Sequence, residues 1–243
     1  MKIVAIIQAR TGSTRFFNKT FVQLSERPLI WHVVNRLKYS NEINEIVLAT
    51  TTEQRDDSLQ KWSIEENISL FRGSEDDVLS RFYEAAKLYN ADIIVRITAD
   101  DPFKDPEIID DVIKLLKEKN LDFSSNNYPA SFPEGLDTEV FTFAALEEAH
   151  LNANDSFDRE HVTQYFYRNP TKFKQENYSN IKDISHLRWT LDTEKDYEMV
   201  KIIYNHLYKD GLIFKMKDIL ELLEKYPEIS EINKSVKRSD MYS

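Results

Sequence analysis

Residues 1–19 read MKIVAIIQARTGSTRFFNK. The first eight, Met1 to Gln8, form a short apolar run of the kind that makes a buried strand. The run breaks into Ala9-Arg10-Thr11-Gly12-Ser13-Thr14-Arg15-Phe16-Phe17-Asn18-Lys19, a loop with three cations, hydroxyls beside a glycine, and few apolar positions. A buried strand opening into such a loop outlines a phosphate site. Backbone N–H groups and hydroxyls donate, Gly12 permits close approach, and Arg10, Arg15 and Lys19 offset anionic charge. Neither the Walker pattern G-x-x-x-x-G-K nor the dinucleotide pattern G-x-G-x-x-G is present.

Working outward, the chain alternates. Pro28 opens a helix over Leu29–Tyr39, and Ile43–Thr50 reads as a second strand. A polar helix over Gln54–Asn67 leads to a short strand over Ile68–Phe71, then a helix over Asp76–Tyr89. Ala91–Thr98 is a fourth strand and Pro106–Lys119 a further helix. Strands alternating with helices predict parallel strands in a doubly wound α/β sheet. Ligands bind beyond the carboxyl ends of such strands. The polar clusters at Arg10–Lys19, Thr50–Thr52, Gly73-Ser74 and Asp100-Asp101 all follow strand ends, so they are expected on one edge. The second half is less regular. Residues 122–133 read as a Ser/Asn/Pro-rich loop and Asp137–Thr142 as a strand. Phe143–Leu151 and Asp158–Tyr167 read as helices, and Phe173–Tyr178 and Arg188–Leu191 as extended pieces. Thr193, with Asp196 three residues on, caps a helix running to Tyr208. Met216–Lys225 reads as a terminal helix, with the last dozen residues loosely held.

The totals narrow the function classes. A chain of 243 residues with 41% hydrophobic residues can build one large domain with its own core. No run approaches the ~18 apolar residues of a membrane helix, and no signal peptide is read at the start. The absence of cysteine excludes disulfides, thiolate metal sites and a cysteine nucleophile, and agrees with a cytoplasmic protein. Net charge is −10 with scattered basic residues, which argues against nucleic acid and for a small polyanion held where cations concentrate.

The order of further segments carries a resemblance. Gln8-Ala9-Arg10-Thr11-Gly12-Ser13-Thr14-Arg15 with Lys19 is followed by Ala49-Thr50-Thr51 with Asp56-Asp57. Next come Phe71-Arg72-Gly73-Ser74-Glu75-Asp76-Asp77-Val78-Leu79 with Arg81, then Val95-Arg96-Ile97-Thr98-Ala99-Asp100-Asp101-Pro102. Phe132 to Val140, Asp158 to Thr163 and Leu187 to Tyr197 complete the series. Together these resemble the sugar cytidylyltransferases, above all the group named after spore coat polysaccharide biosynthesis protein F and related to acylneuraminate cytidylyltransferases. The resemblance implies a Rossmann-like nucleotidyltransferase fold as one domain, with an insertion near 125–180 that serves the sugar site and a homodimer contact. It implies transfer of CMP from CTP to an acidic sugar, with Mg²⁺ and release of pyrophosphate, for surface polysaccharide synthesis. Two departures stand out: Phe16-Phe17-Asn18-Lys19 replaces Leu-Pro-Gly-Lys, and Asp100-Asp101-Pro102 replaces Asp-Cys-Pro.

Residue by residue, the nucleotide set is Ala9, Arg10, Gly12, Ser13, Thr14, Arg15, Lys19, Thr50, Arg72, Ser74 and Arg81. Arg10, Lys19 and Asp100 are the catalytic candidates. Asp100 is a hard oxygen donor at a strand end and Asp192 its partner for Mg²⁺; the alternative for Asp100 is a turn or helix-capping aspartate before Pro102, and for Asp192 an N-cap. Glu134, Gly135, Asp137 and Glu139 sit where the family meets its sugar. Arg159, His161 and Arg188 are candidates for the sugar carboxylate, with His161 alternatively a proton acceptor. Two rival readings remain open: a nucleotide-sugar-dependent glycosyltransferase, and a catalytically silent nucleotide-binding subunit.

Overall fold

The structure is a computed structural model and describes residues 1–12 and 16–237. Ser13, Thr14 and Arg15 of the first loop lie outside the described residues. Strand β1 (Ile3–Gln8) lies inside the sheet, with a neighbouring strand on each side. A two-residue hairpin, β2 (Gln23–Leu24) and β3 (Arg27–Pro28), leads into α1 (Leu29–Leu37). Then come β4 (Glu45–Thr51), α2 (Asp57–Glu65), β5 (Ser69–Gly73), α3 (Val78–Leu88), β6 (Ile93–Thr98) and α4 (Pro106–Lys119). The second half adds β7 (Phe123–Ser125), β8 (Glu139–Thr142), α5 (Phe143–Asn152), α6 (Ser156–His161), α7 (Gln164–Arg168) and β9 (Gln175–Asn177). Helices α8 (Glu194–Leu207), α9 (Met216–Lys225) and α10 (Glu228–Glu231) close the described chain.

The strands order as β5-β4-β1-β6-β8-β7-β9. The first four are mutually parallel, and β8 runs antiparallel to both its neighbours. The expected mostly parallel, doubly wound sheet is therefore present. The chain steps outward from β1 to β5, then returns to place β6 on the other flank of β1. That reversal opens a crevice at the carboxyl ends of β1 and β6.

Alternation within β1 assigns the two faces. Ile3, Ala5 and Ile7 join the core under α1, α2, α4, α8 and α9, whereas Val4 and Ile6 join the core under α3, α5 and α7. Gln8 continues the Val4–Ile6 parity and so faces the α3 side.

Three local readings need correction. Phe123–Ser125 is a strand, because its Ser-rich sequence is paired on both sides by β8 and β9. The helix expected over 158–167 is two, α6 and α7, split where Val162 takes φ 59°. Within the last dozen residues, Asn233 is buried rather than loosely held.

His32 on α1 shows how burial couples to pH. Its ring is 2% exposed and Nε2 donates to the Leu24 carbonyl at 2.6 Å. Burial, with Arg36 and Arg27 nearby, pushes its pKa down to about 4. The unfolded chain, with histidine near 6.5, takes the proton first. Stability is therefore whole above that value and falls as the pH drops toward 4. In His32→Gln, the fall of the urea midpoint across this window is expected to flatten; an unchanged slope removes His32 as its cause.

Candidate active site

Three groups from distant parts of the chain meet at the crevice. Lys19 begins the short 3-10 turn Lys19–Phe21 after β1. Asp100 follows β6, and Asp192 precedes the N-cap of α8. Lys19 Nζ donates to Asp100 Oδ2 at 2.6 Å and to Asp192 Oδ1 at 2.6 Å. Burial opposes the lysine's charge, but the two carboxylates outweigh it and raise its pKa. Burial likewise works against the Asp100 anion, and the Lys19 ammonium more than reverses this, holding Asp100 at about 2. Neighbouring Asp101 goes the other way. It is buried beside Asp100, which raises it, although Lys104 Nζ at 2.8 Å and the Thr98 hydroxyl at 2.6 Å hold it in place.

The altered turn before Lys19 is built without glycine. Asn18 takes φ 51° and ψ 32°, the left-handed conformation that asparagine tolerates better than most residues. Phe16 packs its ring 5.8 Å from that of Tyr197, while Phe17 is 86% exposed. Phe-Phe-Asn thus delivers the lysine to the crevice.

A frame holds Asp192. Arg188 lies among three carboxylates: Glu134 at 2.8 Å, Asp196 through two bonds at 3.0 Å, and Asp192 at 3.4 Å. Asp196 also completes the capping box of α8 and accepts the Asp192 backbone N–H at 3.1 Å. Asn233 donates to both the Arg188 carbonyl and Asp196. Gly135 is required here: it takes φ 104°, and a Cβ would come within 2.7 Å of the Thr190 backbone nitrogen.

The start of the first loop is anchored by Asp56, which is fully buried. Its Oδ1 accepts the Thr11 N–H at 2.7 Å and the Thr11 hydroxyl at 2.7 Å, and its Oδ2 accepts the Thr51 hydroxyl. Arg10 reaches Glu75 at 3.0 Å, and Glu75 also pairs with Arg55, whose side chain lies against Gly12. Ala9 is buried and bonded to the Ala49 carbonyl. Arg81 lies under this group at 2% exposure, with Nη1 on the Ser74 carbonyl at 2.6 Å. Burial, then Arg10, lowers its pKa to about 10. Gly73 leaves room for it, since a Cβ there would meet the Arg81 stem at 3.3 Å. Among the described residues Arg81 Nε, Gln8 Oε1 and Thr50 Oγ1 are buried without hydrogen-bond partners. Thr50 lies on the α1 face of β4 by alternation, opposite Gln8.

Several expected site cations are spent elsewhere. Arg72 donates to the carbonyls of Thr51 and Glu53 and pairs with Asp57, tying β5 to the β4–α2 connection. Arg159 pairs with Asp77 at 2.7 Å and donates to the carbonyls of His150 and Ala153, locking α6 to the start of α3. Arg188, expected at the sugar, is the centre of the carboxylate frame. Glu139 is 3% exposed and satisfied by Arg96, the Tyr167 hydroxyl at 3.0 Å and Asn127. Asp137 offers its carbonyl to Lys104. His161 remains half-buried, its pKa lowered mainly by burial and further by Arg96.

The pair Asp100 and Asp192 fits a hard divalent ion. Their oxygens converge on one point that a protein cation, Lys19 Nζ, holds in this structure. Among the described residues no group of three or more His, Cys, Asp or Glu could hold a metal by itself. Such a pair suits an ion that takes one or two carboxylates and completes its shell from substrate phosphates.

An α/β sheet with a cation-bearing loop and paired carboxylates at its switch point defines a nucleotide-handling protein. The sequence model described as cytidylyltransferase matches residues 4–236, and the chain belongs to that family. It is 39% identical to the uncharacterised protein MJ1063 of Methanocaldococcus jannaschii, covering 98% of this chain and 97% of that one. It is 32% identical to the spore coat polysaccharide biosynthesis protein SpsF of Bacillus subtilis, covering 83% and 86%. The 3-deoxy-manno-octulosonate cytidylyltransferase of Geobacter sulfurreducens is 26% identical over 93% of this chain and 81% of its own. The solved structure of a cytidylyltransferase from Leptospira borgpetersenii superposes with a TM-score of 0.91 at 34% identity, covering 98% and 99%. Among the described residues no helix is long and apolar enough to cross a membrane.

Proposed function

We propose that the protein transfers CMP from CTP to an acidic sugar and releases pyrophosphate. The observation that carries this is the meeting of Lys19, Asp100 and Asp192 at the β1–β6 crevice of a cytidylyltransferase. A sugar hydroxyl attacks the α-phosphorus, the new P–O bond forms, and the bond to pyrophosphate breaks. Arg10 and Lys19 stabilise charge on the α-phosphate and leaving group, which is where positioning and electrostatics do most of the catalysis. Asp100 and Asp192 would hold Mg²⁺, whose charge would offset that of the phosphate oxygens. Gln8 Oε1 and Arg81 Nε, a buried acceptor and a buried donor without protein partners, suit the base. His161, neutral at pH 7, is the chain's acceptor for the hydroxyl proton.

The reading extends to a single domain whose residues 125–180 serve the sugar and a homodimer contact, in a cytoplasmic enzyme of polysaccharide synthesis. Large apolar side chains exposed in or beside that stretch, Tyr128 at 62% and Ile181 at 105%, support the contact. A pyrophosphate-release screen of the four nucleoside triphosphates against acidic sugars tests the activity. CTP with one class of sugar acid is expected to give turnover. UDP release from a UDP-sugar would replace this reading with glycosyl transfer, and CTP binding without turnover would replace it with a silent subunit.

A further inference from the structure

Both cations assigned to the triphosphate are engaged by protein carboxylates in the structure. Arg10 lies on Glu75 at 3.0 Å, and Lys19 Nζ sits 2.6 Å from each of Asp100 and Asp192. An ammonium between two carboxylates stands where an ion bridging them would stand, and two cations cannot share that place. One partner has to move.

Asp192 is not the mobile one. Its other oxygen faces Arg188 at 3.4 Å and its backbone N–H is fixed on Asp196. Asp100 is held from behind by its carbonyl, which accepts the Leu191 N–H at 2.9 Å. Lys19 sits on a long flexible stem.

Resting on the nucleotidyl-transfer reading, we propose that Lys19 is an exchangeable counter-ion. It holds the carboxylate pair while the crevice is empty and moves onto the triphosphate when a divalent cation takes its place. Lys19 thereby couples metal and nucleotide binding: a divalent cation that displaces the lysine from the carboxylates releases it for the phosphates, and phosphates that draw the lysine away open the carboxylates to the cation. The side chain that neutralises the empty site is then the one that meets the phosphates.

The test uses the full chain with Mn²⁺ as probe, followed by its electron paramagnetic resonance signal. Without nucleotide, Lys19→Met is expected to bind Mn²⁺ about tenfold tighter than the wild type, because the ammonium no longer occupies the point between the two carboxylates. α,β-Methylene-CTP should tighten Mn²⁺ binding to the wild type by about tenfold or more, and far less in Lys19→Met. Equal Mn²⁺ affinity in the two proteins, or equal tightening by the analogue, overturns the exchange. A second measurement needs no variant: acylation of Lys19 by acetic anhydride, read by peptide mass, should speed up when Mn²⁺ is added. Unchanged acylation at Mn²⁺ levels that bind overturns it as well. Turnover in the pyrophosphate screen with no Mn²⁺ gain in Lys19→Met would reject the exchange and keep nucleotidyl transfer. A Mn²⁺ gain without turnover on any triphosphate would reject nucleotidyl transfer and support displacement of Lys19.

Discussion

Asp100→Asn is expected to lower kcat for CTP-dependent pyrophosphate release by about 10³-fold while the protein stays folded. The carboxylate is 25% exposed at the crevice, and its protein partner Lys19 keeps a second carboxylate in Asp192. Losing it therefore leaves no buried charge unpaired. The amide keeps the shape but is a much poorer ligand for a hard cation. Removing one preorganised electrostatic group from a water-poor site typically costs about 3–4 kcal/mol of transition-state stabilisation, or 10²–10³ in rate. A coupled pyrophosphate assay measures the rate, and a circular dichroism melt checks the fold. Near-normal turnover would remove Asp100 from the metal site.

The second large effect falls on stability. Arg188→Met is expected to cost about 3–5 kcal/mol, because removing one partner of a buried ion network leaves the other charges uncompensated. Arg188 and Glu134 have side chains 8% and 9% exposed, and that of Asp196 is 0% exposed. Against a typical net stability of about 5–15 kcal/mol, this loss threatens the fold itself. Urea unfolding measures it, with Arg188→Lys as the informative companion. A lysine keeps the charge but cannot span three carboxylates as the guanidinium fork does, so an intermediate loss is expected. If Arg188→Met instead unfolds like the wild type and only weakens sugar binding, Arg188 belongs to the substrate after all.

These two residues show what the sequence could say about the site. The meeting of Asp100 and Lys19 is foreshadowed in the sequence because each follows a strand, and a parallel sheet gathers strand ends on one edge. Lys19 meets Asp100 across 81 residues of chain and Asp192 across 173, and topology alone brings this about. Arg72, Arg159 and Arg188 have protein partners that the sequence does not display, for one shared reason. A sequence shows that a cation is present, but not whether its counter-ion is a ligand or a distant carboxylate. Asp77 lies 82 residues from Arg159, and nothing near either residue announces the pair. Gln8 and Asp56 fall within the motifs without a visible role, since a buried amide oxygen lacking a partner and a buried anchor are defined by what surrounds them. Local signals did better where they are self-contained. The Thr193–Asp196 capping box and the helix over Pro106–Lys119 both fall where the spacing puts them. The short strand at Phe123 is hidden in the sequence because pairing with β8 and β9, rather than composition, creates it.

Asn233 gives the chain an order of completion. Its amide bonds to Arg188 and Asp196 and so closes the frame behind Asp192 from almost the far end of the sequence. During synthesis, the loop after β1 and the strand bearing Asp100 leave the ribosome long before that clasp exists. A nascent chain still threaded through the exit tunnel at Asn233 therefore carries its lysine and one carboxylate with the third member unsecured. The third member of the site is secured only once residue 233 has joined the fold.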